Sequence, residues 1–387
     1  MPARTHVTPR SRSSGLTIIE ILVGVAIGLI GIVAIFQAIA VWSKHTATTS
    51  SGGDAQVAGT LALFNIERDV RQAGHGFGRA TTPVMGCNVA ANDTAGGRGA
   101  FNFSMSPITI TVGAGGAPDT IGILYGDSSF YVEEGDFTDA TASTKKLRRR
   151  GGFKPGDLAV VAVNPGASAA TAACELIQIT DDTDPDGYTV AHTTAAFTSF
   201  YAASSPASAS RFNTGAAPGA LSGTVYNFGP DPRLNVWSIQ NFHTLVRTDN
   251  IYNTAPVPIG DNVINLKAEY GVDNDANGTI SPGEWQNAPP ADWRRVLAIR
   301  VAVLVRSRQF ERGDSSAASG VFAVTKTADN PYCFGDSAGH KFLMTNVDGS
   351  ADSFGDTDVD PNNWRYYRYR VYERVIPLRN MLWGIWG

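Results

Sequence analysis

A long apolar run near the N-terminus limits the possible folds of this chain more than any other feature. Between residues 21 and 42, Gln37 is the only polar side chain. A helix of about 22 residues at ~1.5 Å per residue is ~33 Å long, which is enough to cross the hydrocarbon core of a bilayer. The sequence therefore predicts a single transmembrane helix over residues 21–42.

A short basic segment precedes the apolar run. It carries Arg4, Arg10 and Arg12 and no acidic residue, which favours a cytoplasmic N-terminus. Glu20 stands at the entrance of the run. A secretory signal has a shorter apolar core without an adjacent acid, and a carboxylate in lipid is costly unless it has a partner or a function. Glu20 therefore favours a different processing route, with a hydrated position among the lipid headgroups as the alternative.

The basic segment ends at Gly15, and Glu20 follows five positions later. This arrangement resembles the N-terminus of type IV prepilins. The resemblance implies that residues 1–15 are a leader cut off by a prepilin peptidase, and that Leu16 becomes the N-methylated first residue. It also implies that Glu20 pairs with the free amine of a neighbouring subunit during assembly. The family usually has Phe where this chain has Leu16, but cleavage is expected to persist because the peptidase depends mainly on the glycine.

The segment after the apolar run narrows the family. Residues 61–74 have an amphipathic helical pattern that ends at Gly74, a residue type typical of C-caps. They are similar to the end of the spine helix in PilW-type minor pilins. Residues 297–308 and 369–383 are also similar to segments of these proteins.

The resemblance implies three parts: the leader over residues 1–15, a spine helix over residues 16–74 and a head over residues 75–387. A stretch rich in Ser, Thr and Gly at residues 46–53 is expected to loosen the helix where it leaves the membrane.

The head has the pattern of short strands separated by Gly, Pro, Asn and Asp, so the fold class is α+β with a β-rich head. Long unpatterned segments at residues 195–222 and 313–360 predict exposed loops. The clearest strand alternates strictly from Leu297 to Arg306. The predicted strands span residues 106–112, 120–125, 158–163, 176–180, 236–246, 263–270, 297–306 and 366–376.

Cysteine usage and charge set further limits. The cysteines Cys87, Cys174 and Cys333 permit one disulfide and lack the C-x-x-C spacing of a metal site. The sequence leaves the pairing open, and Cys87 with Cys174 is our preferred prediction.

The net charge of -4 argues against a surface that attracts nucleic acid. We interpret the basic segments at residues 145–150 and 366–374 as a solvated loop and an exposed strand face.

One loop has the ligand spacing of a calcium site. Residues 273–284 match all twelve positions of the EF-hand loop, with glycine at the sixth position and glutamate at the twelfth. Calcium takes six to eight hard oxygen ligands, and this spacing aims such oxygens at one point. Strand-like residues precede the loop and prolines follow it, so we expect a structural Ca²⁺ site in a β context, with an acidic turn without metal as the alternative. The predicted ligands are Asp273, Asp275, Asn277, Thr279, Ser281 and Glu284.

The resemblance implies a non-enzymatic minor pilin that helps to prime type IV pilus assembly and lies at or near the pilus tip, in a fibre used for adhesion and twitching motility. Its location would be the inner membrane, with the head in the periplasm, before assembly, and the extracellular pilus tip afterwards. Its partners would be other minor pilins, the major pilin, a large tip adhesin, the prepilin peptidase and the inner-membrane assembly platform.

Two other functions stay open at this point. A J-type pseudopilin of type II secretion shares the spine and a related head. A secreted calcium-dependent hydrolase is the alternative of another class, because the tripeptide Ala38-Ile39-Ala40 permits signal-peptidase cleavage after Ala40. The motif H-E-x-x-H and the P-loop are absent from the sequence.

Overall fold

The computed structural model describes residues 15, 17–81, 84–128, 135–149, 152–163, 173–181, 188–214, 222–310, 342–351, 353 and 358–385. Leu16, Cys333 and most of the predicted loop at residues 313–360 lie outside these ranges. The chain divides into two compact units, Met1–Gly53 and Asp54–Gly387.

The first unit contains the apolar part of helix α1 (Ile18–Val70). The segment Ile18–Ser43 has a mean hydropathy of 2.8 and is long and apolar enough to cross a membrane. Its large apolar side chains are exposed, as expected for a helix whose neighbours are lipid or other helices. Residues 46–53 remain helical, so the expected loosening is not found. Glycine costs a helix only ~1 kcal/mol per residue, and the flanking turns outweigh that cost.

The second unit begins with the C-terminal part of α1. Its buried side chains recur every three or four residues, as in Ala62, Ile66 and Val70, and so form one apolar helix face. The helix ends at Val70, earlier than the predicted cap at Gly74. Gly74 adopts a φ of +79° and donates its N–H to the Leu124 carbonyl at 3.0 Å. A tertiary hydrogen bond to the head therefore shapes the turn after the helix.

The head is built from short strands, which we number along the chain. The strands are β1 (Asn88–Asp93), β2 (Gly99–Ser104), β3 (Ile108–Thr111), β4 (Thr120–Tyr125), β5 (Gly135–Ala140), β6 (Thr144–Leu147), β7 (Leu158–Val163), β8 (Ala173–Gln178), β9 (Thr189–Ala191), β10 (Ala196–Phe197), β11 (Ser208–Ala209), β12 (Gly223–Gly229), β13 (Arg233–Gln240), β14 (Thr244–Asp249), β15 (Val257–Asp261), β16 (Val263–Val272), β17 (Trp285–Gln286), β18 (Val296–Arg306) and β19 (Tyr369–Pro377). Helix α2 (Arg379–Ile385) follows, and single 3₁₀ turns lie at Ala114–Gly116, Phe200–Ala202, Pro282–Glu284, Trp293–Arg295 and Trp364–Tyr366. This arrangement confirms the predicted α+β class.

The largest sheet has the strand order β2-β1-β8-β7-β12-β5-β6-β9. Its last six strands close on themselves, because residues 180–181, directly after β8, pair with Ala191 of β9. The N–H of Thr180 donates to the Ala191 carbonyl at 2.8 Å, and the N–H of Ala191 donates to the Asp181 carbonyl at 3.0 Å. We call β5–β9 and β12 the barrel, and the contact between Ala191 and residues 180–181 its seam. The barrel interior contains Phe137, Leu147, Phe153, Ala159, Val161, Ile177, Ile179, Val190 and Val225.

The main core lies outside the barrel. Strand β7 shows the division, because Leu158, Val160 and Ala162 belong to the main core while Ala159 and Val161 belong to the barrel interior. Successive side chains of a strand point to opposite faces, so one strand serves both cores.

Two further sheets complete the main core. They have the orders β15-β14-β13-β4-β3 and β17-β16-β18-β19, and we call them the five-stranded and the four-stranded sheet. All of β18 is buried. Its odd-numbered residues such as Ile299 and Val303 face the main core, while Ala302 and Leu304 pack against Phe342. The strict alternation in the sequence therefore corresponds to a strand covered on both faces.

Several predicted strands differ from the structure in their bounds, and β8, predicted at residues 176–180, begins at Ala173 and ends at Gln178. The single strand at residues 236–246 is a hairpin of β13 and β14, in which Asn241 and Phe242 have φ values of +49° and +64°. Positive φ at both central residues is the geometry of a tight hairpin turn, but the sequence lacks the Asn-Gly that usually marks it. The last strand begins at Tyr369 instead of residue 366, because Trp364–Tyr366 forms a 3₁₀ turn.

Cys87 and Cys174 form a disulfide with a Cα–Cα distance of 6.2 Å, which is the pairing that the sequence analysis preferred. Cys87 directly precedes β1, and Cys174 lies in β8. The bond therefore connects the barrel to the segment that leads into the rest of the largest sheet.

Candidate functional site

The start of α1 gives Glu20 a local partner. Its Oε2 accepts hydrogen bonds from the Thr17 N–H at 2.9 Å and from the Thr17 Oγ1 at 3.1 Å. The Glu20 N–H donates to the Thr17 Oγ1 at 3.3 Å. This is a capping box, a pattern readable as Thr-x-x-Glu in the sequence. Glu20 therefore helps to start the helix, in addition to any role in assembly, and this contribution was not predicted from the sequence.

The candidate calcium loop connects β16 to β17. Asp273 follows the last residue of β16, and Glu284 precedes the first residue of β17. The two strands pair through Tyr270 with Gln286 and Gly271 with Trp285. The loop thus closes a hairpin, which is the β context that its flanks predicted.

Three of the predicted ligands come together in this loop. One carboxylate oxygen from each of Asp273, Asp275 and Glu284 lies within 4.8 Å of the others. Asp273 and Glu284 are buried and Asp275 is exposed. The backbone turns sharply between them, since Ala276 and Gly278 have φ values of +60° and +80°. Three clustered carboxylates repel one another, and a divalent cation is the usual partner that relieves this repulsion.

Backbone N–H groups hold two of these carboxylates in place. Asp273 accepts from Asn277 N at 3.0 Å and Gly278 N at 2.9 Å. Glu284 accepts from Asn274 N and Ser281 N, both at 2.8 Å. A carboxylate has about four acceptor positions, so each of these oxygens keeps capacity for a metal ion.

These hydrogen bonds also change the pKa values of Asp273 and Glu284. Burial alone raises the pKa of Asp273, but the N–H groups of Gly278 and Asn277 hold that pKa below its usual value. The N–H of Ser281 similarly lowers the pKa of Glu284. Both carboxylates are therefore ionised at neutral pH.

The other three predicted ligands support the loop itself. The Oδ1 of Asn277 accepts from the Thr279 N at 2.8 Å and the Thr279 Oγ1 at 2.6 Å, and its Nδ2 donates to Asp275 at 2.8 Å. Ser281 contributes its N–H to Glu284. The carboxylate oxygens of this loop fit a hard divalent cation. To become a further ligand, the Asn277 Oδ1 would have to give up its hydrogen bonds from Thr279 and turn to the ion.

Arg295, which was not among the residues predicted from the sequence, connects the loop to the four-stranded sheet. Its Nη1 donates to the carbonyls of Asp273 at 3.1 Å and Asn274 at 2.9 Å, and its own carbonyl accepts the Asp273 N–H at 2.9 Å. Arg295 immediately precedes β18. In the sequence, Arg295 is only a basic residue that follows the loop after eleven positions. The fold brings its guanidinium group to the carbonyl of Asp273, the first predicted ligand.

The two basic segments include side chains with partners inside the protein. Lys145 is fully buried and donates to the carbonyls of Thr141 and Thr144 and to His192 Nε2. Residues 145–150 were predicted to be a solvated loop, and for Lys145 this prediction is wrong. In β19, Arg374 pairs with Glu67 of α1.

Comparison with known proteins identifies part of the head. Residues 238–380 match the family model described as Type IV Pilus-assembly protein W. This part of the chain is therefore similar to a pilus-assembly domain. This match confirms the predicted similarity to PilW-type proteins and supports a role in type IV pilus assembly. The match runs from β13 into α2, so it contains the candidate calcium loop and the four-stranded sheet, while the apolar helix and the barrel lie outside it. No curated protein and no solved structure matches the chain.

Proposed function

We propose that this protein is a minor pilin with a non-enzymatic role in priming type IV pilus assembly, located at or near the pilus tip. The observation that carries the proposal is the match of residues 238–380 to the pilus-assembly family. The apolar segment Ile18–Ser43 supports it by providing a helix that can reside in the inner membrane before assembly. Other minor pilins, the major pilin, a large tip adhesin and the assembly platform are the expected partners.

Mass spectrometry of the N-terminus of the mature protein tests the processing step. We expect a prepilin peptidase to cut after Gly15 and to leave a methylated Leu16, because Gly15 and Glu20 flank the entrance of the apolar helix. A mature chain that begins at Val41 would instead support a secreted protein and refute the minor pilin.

The assembly role of Glu20 needs a test that separates it from helix capping. Glu20→Gln keeps an amide oxygen for Thr17 but loses the charge that a neighbour's amine would need. Thr17→Ala removes one half of the capping box and keeps the carboxylate. We expect both variants to be processed and inserted, and Glu20→Gln to be much the poorer in sheared fibres. Equal defects in the two variants would assign Glu20 to helix capping alone.

Deletion of the gene distinguishes the pilus from type II secretion. A minor pilin that primes assembly is needed for surface pili and twitching, whereas a J-type pseudopilin is needed for secretion of type II substrates. Loss of secretion with normal piliation would support the pseudopilin. Immunogold labelling of pili from the complemented strain then tests the tip position.

We further propose that residues 273–284 bind Ca²⁺ as a structural ion. The observation that favours this site is the convergence of Asp273, Asp275 and Glu284 within 4.8 Å in a loop with the full twelve-position spacing. Arg295 ties the loop to β18, so the ion would stabilise the β16–β17 hairpin against the four-stranded sheet.

Thermal unfolding of the full-length protein in detergent tests the calcium site. A ligand that binds only the folded state adds about 2.7 kcal/mol at a concentration of a hundred times its Kd, so calcium should raise the midpoint above that in chelator. Asp275→Asn, at the exposed ligand, and Glu284→Ala should lose this calcium-dependent rise. Magnesium at the same concentration is the control, because Mg²⁺ gives up its water ligands reluctantly. An equal rise in wild type and both variants would leave an acidic turn without metal.

A further inference from the structure

The seam that closes the barrel is narrow. Among the described residues, two backbone hydrogen bonds join Ala191 to residues 180–181. The Thr180 Oγ1 adds contacts to the Thr193 N–H at 2.9 Å, the Thr193 Oγ1 at 3.2 Å and the Ala191 carbonyl at 3.3 Å. The Asn213 Nδ2 connects the two sides by donating to the carbonyls of Gln178 at 2.7 Å and Thr193 at 2.9 Å. On the other side of β9, the His192 N–H donates to the Ser143 carbonyl at 2.8 Å. Because only two of these bonds between described residues join backbone to backbone, the seam is a place at which the barrel can open locally.

A buried pair of basic side chains lies beside this seam. The Lys145 Nζ is 3.0 Å from the His192 Nε2, and both side chains are buried. The ammonium group also donates to the carbonyls of Thr141 at 3.2 Å and Thr144 at 3.3 Å. All three of its hydrogens are therefore used. His192 Nε2 must supply the third acceptor, which requires a neutral imidazole with its hydrogen on Nδ1.

This geometry disfavours protonation of the His192 imidazole. A proton added to His192 would lie on Nε2, directly opposite the Lys145 ammonium group. The pair would then lose its hydrogen bond and place two positive charges ~3 Å apart in a poorly hydrated interior. Because Lys145 has no free donor, the pair also offers nothing to a ligand.

The described surroundings of the pair provide one opposite charge. Among the described residues, the charged groups acting on the pair are the two partners themselves and Glu175 of β8. The remaining strands contribute uncharged side chains to the same interior: β5 places the Phe137 ring 6.0 Å from the Lys145 Nζ, and β7 and β12 contribute Val161 and Val225. One carboxylate can balance one cation, but it cannot balance two.

We propose that Lys145 and His192 form an acid-sensitive latch that holds the end of β9 against β6. Protonation of His192 breaks the contact with Lys145, and the loosened β9 then separates from residues 180–181 at the seam. The inference rests on the geometry of the barrel and is independent of the proposed function in pilus assembly.

The pKa of His192 supports this direction. Burial first, and the charge of Lys145 second, lower it to about 4 in the closed barrel, compared with ~6.5 in an open chain. The open form therefore binds the proton more tightly than the closed form. The closed form keeps its full stability above pH ~6.5 and loses it as the pH falls toward 4. Burial raises the pKa of Glu175, so protonation of Glu175 acts in the opposite sense and favours the closed form.

Hydrogen exchange measured by mass spectrometry tests the latch on the full-length protein in detergent. The amides of residues 188–194 report on the seam, and those of β16 serve as an internal reference. His192→Gln is the matched variant, because its amide oxygen can accept from Lys145 at every pH. Comparing it with wild type cancels the contribution of Glu175. Between about pH 7.5 and about pH 5, protection of the seam should fall roughly 30-fold more in wild type than in His192→Gln.

Two results would overturn the latch. The first is an equal loss of protection in wild type and His192→Gln, and the second is a wild-type seam whose protection does not change with pH. Should His192→Gln not fold, NMR titration of His192 in the wild-type protein decides instead. A His192 imidazole that titrates near its ordinary pKa while the seam stays protected would exclude the latch.

Discussion

The barrel and the four-stranded sheet both bury cations, but they neutralise them differently. In the four-stranded sheet, Arg300 binds the buried Glu269, with Nε 2.9 Å from the carboxylate, and Lys267 lies 2.8 Å from the buried Asp119. In the barrel, Lys145 faces the neutral ring of His192. Carboxylates ordinarily stay charged until the pH falls to ~4, whereas imidazole gains a proton near pH 6.5. The nature of the acceptor, and not the burial of the cation, thus decides which region responds to mild acid.

The two regions also differ in their relation to the rest of the chain. The four-stranded sheet lies within the PilW match and contacts α1 through Arg374 and Tyr372. The barrel lies outside the match and has a core of its own. The following predictions test how independent the two regions are, from the largest expected effect to the smallest.

Removing the disulfide should have the largest effect. Cys87 and Cys174 are 87 positions apart, and a crosslink that closes a loop of this length stabilises a fold by about 4–5 kcal/mol in the chain-entropy account. The double variant Cys87→Ala/Cys174→Ala should therefore unfold at much lower urea, with the barrel separating from the rest of the head. Urea titration followed by hydrogen exchange of the barrel and of β16–β18 checks this result. Simultaneous loss of both regions would show that they unfold as one unit.

Glu269→Ala should destabilise the four-stranded sheet nearly as strongly. It removes the buried carboxylate that binds the Arg300 guanidinium beside Trp285, and breaking a buried ion pair from one side costs about 3–5 kcal/mol. Glu373→Ala is the control, since that side chain is 40% exposed and lies 3.9 Å from Arg300. An exposed pair contributes less than about 1 kcal/mol. Similar urea midpoints for the two variants would contradict the assignment of Glu269 as the principal partner.

Asp69→Ala extends the test to the contact between α1 and the five-stranded sheet. The Asp69 Oδ2 accepts from Asn235 Nδ2 at 2.9 Å and from Trp237 Nε1 at 3.0 Å, and all three side chains are buried. The variant leaves the buried Trp237 Nε1 without this acceptor and the Asn235 Nδ2 with the Tyr125 hydroxyl at 3.0 Å, which should cost about 2–3 kcal/mol. Asp54→Ala, at an exposed position of the same helix, should leave the urea midpoint nearly unchanged. A barrel that loses hydrogen-exchange protection together with the helix would argue against its independence.

Gly59→Ala should give the smallest loss. A Cβ at this position of α1 would overlap the Tyr372 ring of β19, and overpacking costs about 1–3 kcal/mol, offset by roughly 1 kcal/mol of helix propensity. Gly52→Ala meets no atom within 4 Å, so it should stabilise the helix slightly. If the thermal midpoints of both variants rise, the Tyr372 ring can move away from the new Cβ without loss of stability.

Features that depend on neighbours along the chain were predictable from sequence. The apolar helix follows from twenty or so consecutive apolar residues, and the doubly covered strand β18 follows from strict alternation. The loop from Asp273 to Glu284 follows from ligand spacing, because its oxygens approach one another through a turn of twelve residues. The capping box of Thr17 and Glu20 is equally local, and its pattern was present in the sequence.

Features that depend on distant partners were decided by the tertiary structure. Helix α1 ends at Val70 because the chain then bonds to Leu124. The barrel closes because residues 180–181 meet Ala191. Lys145 stands in a sequence of basic residues and reads as exposed, yet its place on β6 points it into the barrel toward His192, 47 positions away. Local geometry determines which elements form, but the order of strands in a sheet determines which side of each strand is buried, and that order arises from long-range pairing.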